Sequence, residues 1–185
     1  VNNFFHKFCI FSELQVILKK ILQKSKGKAL MIPANKMIKM RALDTTDLNH
    51  MAEQLRDGLC PMVTMVHEKN SFTLLVNRFC WNHEDKHEGK PLHYRSHVGL
   101  LFRHVQSVQR KGFEQHSAED RILNLLHIHV KETPKDTWVH LVFSKGHEIR
   151  LKIEKLEAYL SDLHDPWPTR SKPTHLHEHI TEMVA

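Results

Sequence analysis

The sequence predicts an α+β fold: a mainly antiparallel rolled sheet or partly open barrel, with a C-terminal helix capping its open end. Three observations lead there. Short β-branched and aromatic runs follow one another between turn signals, the strongest being 72–81 (FTLLVNRFCW). Lys145-Gly146 separates two alternating runs in the manner of a tight hairpin. Near the end, Leu156, Leu160 and Leu163 recur at helical spacing.

The elements follow in chain order. Residues 1–36 form a basic N-terminal arm, in which Phe11, Leu14, Ile17, Leu18, Ile21 and Leu22 recur at helical spacing behind a Ser12/Gln15 capping box. Lys19, Lys20 and Lys24 make that helix basic, and Gly27 and Pro33 end it. Glu13 and Gln15 interrupt the apolar stretch, which excludes a secretory signal. The arm reads as a helix packed on its own domain or as a tail, with peripheral membrane attachment as the functional alternative. The chain begins with Val1, and Met31, Met37 and Met40 are expected as alternative starts.

The domain is expected over 37–164. A short strand at 37–43 precedes a helix capped by Thr45 or Thr46 and running to about 58, with Leu48, Met51, Ala52, Leu55 and Leu59 as its stripe and Gly58 at its end. A strand at 62–66, a turn at 68–71 and the strand 72–81 lead into a polar loop at 82–91. One long bent strand or two shorter ones fill 93–111, and strands follow at 122–131, 137–144 and 147–153, the last with Ile149, Leu151 and Ile153 inward. A helix over about 154–163 closes the domain, and the Pro/His-rich tail, 165–185, reads as irregular, with Trp167 docking on the domain.

The charge balance separates arm from domain. Of 27 Lys+Arg and 21 Asp+Glu, the arm holds seven lysines and Glu13, so residues 37–185 carry 20 of each sign. The domain as a whole therefore has no net charge with which to attract nucleic acid, although local patches are compatible with that balance. Cys9, Cys60 and Cys80 are too few and too far apart for a disulfide framework, which points to a cytoplasmic location and buried thiols. No apolar run approaches the roughly 20 residues a membrane helix needs.

No constellation assigns catalytic residues or a cofactor. His83-Glu84-Asp85-Lys86-His87 fits H-E-x-x-H, in which two imidazoles one helical turn apart hold zinc and the glutamate polarises its water. That chemistry requires a helix with an apolar back, and the segment reads as a strand-to-strand connection. His175, His177 and His179 alternate in the tail and could grip a transition metal from one side of an extended chain. His127 and His129 are expected on the wet side of their strand, opposite Ile128 and Val130. Asp44 and Asp47 suit a helix start, and capping explains them. Arg78, Arg95, Arg103 and Arg150 fall in strands, where a sheet face shared with Trp81 or Trp138 would make an anion- or peptide-binding surface.

The strand order, with its C-terminal helix, looks like a pleckstrin-homology-like barrel, from which the early helix departs. The stretch 38–175 resembles a family of small alphaproteobacterial proteins catalogued as a domain of unknown function. The resemblance rests on MIKMRALDTTDL, LLVNRFCW, LVFSKGHEIRLKIEKLEAYLSDL and WPTRSKPTH. It implies a bacterial cytoplasmic protein and supplies no catalytic residues. The leading expectation is a non-enzymatic binding or adaptor domain that takes a protein or peptide at an exposed strand edge or beside the C-terminal helix. A metal-dependent hydrolase using His83, Glu84 and His87 is the enzymatic alternative.

Overall fold

The computed structural model describes residues 37–87, 90–113 and 122–173, and for 82–87 and 90–91 the backbone alone. The basic arm 1–36 and the tail histidines lie outside the described residues. Strand β1 (Lys39–Ala42) leads into α1 (Thr45–Leu55). Then come β2 (Gly58–Pro61), a 3-10 turn (Met62–Thr64), β3 (Val66–Glu68) and the long hairpin of β4 (Ser71–His87) and β5 (Lys90–Arg103). The chain continues through β6 (Val105–Lys111), β7 (Ile122–Glu132), β8 (Thr137–Phe143), β9 (Glu148–Ile153), β10 (Ala158–Asp162) and β11 (Trp167–Thr169).

The strands form one antiparallel sheet in the order β1-β10-β5-β4-β2-β7-β8-β9-β6, with β11 beside β10 on β5 and β3 beside β2 on β4. It is not closed. His104 turns the corner between β5 and β6 in the left-handed region, at φ 57°, and its imidazole Nε2 lies 2.8 Å from Glu157 Oε2. The corner returns β6 towards β3: Val105 N–H donates to Asn70 O at 2.9 Å, and the Arg110 guanidinium reaches Met65 O at 3.5 Å. Between those two ties no ladder joins β6 to β3 among the described residues.

Burial explains the register. Phe72, Leu74 and Val76 of β4, Val98, Leu100 and Phe102 of β5, and Ile149, Leu151 and Ile153 of β9 alternate into one core, as a period of two requires. Leu48, Met51 and Leu55 of α1 complete it. Asp44, rather than Thr45 or Thr46, caps that helix: its Oδ1 accepts from Asp47 N–H at 2.8 Å, while Asp47 Oδ2 accepts from Leu43 N–H at 3.1 Å. Such a cap stabilises a helix by about 1 kcal/mol. Gly58 does not end the helix. Asp57 takes the left-handed turn (φ 57°), and Gly58 lies in β2, where a Cβ would stand 2.4 Å from Val76 Cγ1.

Several expectations are corrected. Residues 62–64 are a 3-10 turn and only 66–68 a strand. Residues 82–87 and 90–91, expected as loop, are strand: β4 runs through His87 and pairs on to β5 from Glu84↔His93 to His87↔Lys90. Their polar composition hid a strand that reaches past the core, where pairing with a neighbour replaces apolar alternation as the determinant. The expected C-terminal helix at 154–163 is the strand β10, and with it goes the cap that the pleckstrin-homology-like expectation relied on. The segment has good helix formers, but β10 is inserted between β1 and β5 and buried on both faces, which overrides local propensity. The start of the tail is ordered too, since β11 pairs Trp167 with Arg95. The result is a mostly antiparallel sheet with one α-helix among the described residues. No described helix is long and apolar enough to cross a membrane.

Where β10 meets its neighbours, Asp162 accepts from Arg78 Nε and Nη2 at 3.0 and 2.9 Å, from Ser96 Oγ at 2.9 Å and from Ile38 N–H at 2.8 Å. The pair is buried, so losing one partner leaves a charge in the interior. Arg78→Met is expected to destabilise the fold by about 3–5 kcal/mol in urea denaturation. Gly58→Ala should cost about 1–3 kcal/mol by overpacking. A loss below about 1 kcal/mol for Arg78→Met would show that water reaches Asp162.

Candidate functional site

The strands β7, β8, β9 and β6 have one face in the core and one outside. In β7 the apolar residues Leu123, Leu125 and Ile128 point inward, and a register shift between Leu125 and His127 resets the alternation. His127, His129 and Lys131 therefore share the outer face, as expected for the two histidines. Cross-strand pairing sets the rest in rows. His129 is opposite His140, His140 opposite Arg150, and Arg150 opposite Gln109. In the next row Lys131, Trp138, Lys152 and Ser107 follow one another, and on the other side His127, Val142, Glu148 and Lys111.

This face is basic in a domain of balanced charge. Lys131, Arg150, Lys152 and Lys111 stand on it against the carboxylate of Glu148. From the β8–β9 side, Asp136 pairs with Lys152 at 2.6 Å. Trp138 is half-buried among these cations, so part of its ring is open to a partner. Gln109, Arg110, Lys111, Glu148 and Arg150 line a cleft of about 210 Å³ beside the β6 edge.

A charge relay in miniature organises the centre. Arg150 Nη2 donates to Glu148 Oε2 at 2.8 Å, and His140 Nδ1 lies 2.6 Å from Glu148 Oε1. The Arg150 bond, working against burial and aided by His140, holds the Glu148 carboxyl at about 2. With that carboxylate ionised, His140 Nδ1 carries the proton and donates. The rings of His127, His129 and His140 stack at centroid separations of 5.2 and 4.8 Å. Burial first, then the neighbouring His140 and His127, push the His129 pKa down. His129 Nδ1 and Arg150 Nε are buried atoms without a hydrogen-bond partner among the described residues.

The other candidate residues divide clearly. His83, Glu84 and His87 lie on β4, with an extended backbone and with side chains outside the described residues. Four residues along a strand span about 13 Å, so the one-turn spacing that H-E-x-x-H needs is not provided there. His175, His177 and His179 are outside the described residues. No group of three or more metal-ligating side chains with metal-binding geometry occurs among the described ones. Arg78 belongs to the core through Asp162. Arg103 is half-buried, its N–H donating to Glu157 O at 2.9 Å. Arg95 shares a face with Phe79 and Trp167, and Arg150 shares one with Trp138. Cys60 and Cys80 are buried, and burial pushes both thiols up, which makes them inert.

The sequence reading missed Glu148, His140 and Lys152 as neighbours of His129 and Arg150. Their signal was present: Glu148, Arg150 and Lys152 alternate with inward Ile149, Leu151 and Ile153. Which histidine they face depends on strand pairing and could not be read locally.

Against known proteins, the sequence profile of one family matches residues 38–175; the family is described as "Protein of unknown function (DUF2948)". No curated protein and no solved structure matches the chain.

Two titrations test this geometry. Glu148 is ionised in the fold down to about pH 2 but has an ordinary value of 4.5, so its stabilising contribution is complete above that value and lost as pH falls towards 2. Glu148→Gln should flatten the acid limb of a pH–stability curve. The flattening will be partial, because Glu157 is also held at about 2: burial opposes this, and hydrogen bonds from Tyr159, Arg41 and His104 prevail. In His140→Gln, the NMR midpoint of His129 should rise yet stay below 6.5, since burial is the larger cause. A midpoint unchanged by that substitution would contradict the stacked arrangement.

Proposed function

We propose, for a chain that belongs to the DUF2948 family, that the domain is a non-enzymatic binding module whose partner is an acidic, extended peptide segment. The observation that supports this reading is the basic outer face, with Trp138 among Lys131, Arg150, Lys152 and Lys111, continuous with an edge strand. β6 ends the strand order, and its outer backbone groups have no ladder partner among the described residues. An added strand would satisfy those groups, and its outward side chains would meet the cations of β6 and β9. Aromatic and arginine side chains give such surfaces their anchors, while lysines at the rim supply steering and partner choice. His140, His129 and His127 extend the face with imidazole rings stacked along it. The groove once expected beside a C-terminal helix has no counterpart, because that segment is β10.

Fluorescence anisotropy with a labelled alternating Glu-Val peptide, its Lys-Val counterpart and a single-stranded DNA of equal length tests this directly. The acidic peptide should bind, weaken with added salt and lose about tenfold in affinity when Lys131 and Lys152 are both changed to Glu. Equal binding of the two peptides, or indifference to the charge reversal, would remove the proposal. Preference for the DNA would replace the peptide by a polynucleotide.

A further inference from the structure

The two middle arginines of the β4–β5 hairpin are both buried, and their surroundings differ. Arg78, on the core face, has a carboxylate on its guanidinium, with two bonds to Asp162. Arg95, on the opposite face, is 9% exposed. Its one hydrogen bond among the described residues runs from Nη1 to the backbone oxygen of Asn77, at 3.3 Å. A guanidinium has five N–H donors, so most of this one's capacity is unused among the described residues, in a place where water is scarce. Burial is the larger influence on it, pulling the Arg95 pKa down, and the charge of Asp57 acts the other way.

Aromatic rings flank the unused fork. Cross-strand pairing puts Phe79 on one side of Arg95 and Trp167 on the other. The guanidinium carbon lies 5.7 Å from the Phe79 centroid. Trp81 extends the first wall, 4.6 Å from Phe79, and His97 extends the second, 4.4 Å from Trp167. Trp81, His97 and Trp167 are half-buried, so both walls reach the surface. The side-chain oxygen of Asn77, the row neighbour of His97, is buried without a hydrogen-bond partner among the described residues.

A buried guanidinium whose donors are mostly unmatched costs stability, and a ligand that matches them would offset that cost. A carboxylate matches the planar fork of arginine in a bidentate pair, and a flat ring behind it fits between aromatic walls. We propose that Arg95, Phe79 and Trp167 form a small-molecule site, separate from the basic face, for the carboxylate of a planar aromatic acid. Arg95 pairs with the carboxylate, the two walls hold the ring, and Asn77 accepts a hydrogen bond from a ligand donor.

Benzoate is a sufficient probe, with benzamide as its neutral isostere. Benzoate should raise the melting temperature of the full chain and saturate a change in tryptophan fluorescence, while benzamide does neither. Arg95→Met should abolish the response yet melt higher than the wild type without ligand, because it removes a buried charge whose donors are mostly unmatched. Trp167→Leu, at a half-exposed position, should weaken benzoate by about fivefold with the fold intact. Three results would each overturn the assignment: no saturation below about 10 mM benzoate, equal responses to benzamide or inorganic phosphate, or benzoate binding that survives Arg95→Met. A lower melting temperature for ligand-free Arg95→Met would also count against it, since Arg95 would then be a structural group.

Discussion

Asp162 ties four strands together. Its carboxylate accepts from Arg78 on β4, from Ser96 on β5 and from the backbone at Ile38 just before β1, while its own backbone N–H donates to Ile38 O. Each donor comes from a different part of the chain, 66 to 124 residues away. Any other register of β10 would leave a carboxylate and a guanidinium buried apart, at a cost no local propensity could offset. The same cluster directs the chain beyond β10: Ser96 Oγ also lies 3.3 Å from His164 O, which sets the backbone on its way to β11. β11 then puts Trp167 beside Arg95.

The sheet's two halves use charge differently. Around Asp162 the ions are enclosed and matched, which favours a single arrangement. On the outer face of β7, β8, β9 and β6 the ions are partly solvated, and apart from Glu148 each contributes little to stability. Such groups are free to serve recognition, where charge steers a partner at small cost to the fold. Glu157 stands between these regimes. It gathers Arg41, Tyr159 and His104, and so fixes the corner at which β5 becomes β6. Without that corner the β6 edge would not return towards β3.

The residues legible in advance were those whose environment is local. Period-two alternation in 147–153 identified β9 and its inward side, and the same pattern put His127 and His129 outside. Asp44 and Asp47 announced a helix start through a contact spanning three residues. The failures share one cause, strand pairing that composition does not encode. Residues 158–162 are a strand because distant segments flank them, and 84–87 because they pair with 90–93 of their own hairpin; neither leucine spacing nor polar composition shows this. The rows His129-His140-Arg150 and Phe79-Arg95-Trp167 escaped for the same reason, since each joins three strands.

By itself the sequence determined a β-rich domain with one early helix, the inward and outward sides of its alternating strands, the confinement of excess basic charge to the arm, and membership of a family recognisable from 38–175. The first three follow from composition and short-range periodicity, which act within a few residues; the last follows from the match to that family. Only the tertiary structure decided that 158–162 is a central strand, that Arg78 pairs with a carboxylate while the one hydrogen bond of Arg95 among the described residues is to a backbone oxygen, and that Lys111, Lys131, Arg150 and Lys152 share one outer face. Those outcomes depend on which strands lie side by side. Burial and the pairing of charges set that choice across the whole chain, through interactions that no short window of sequence contains.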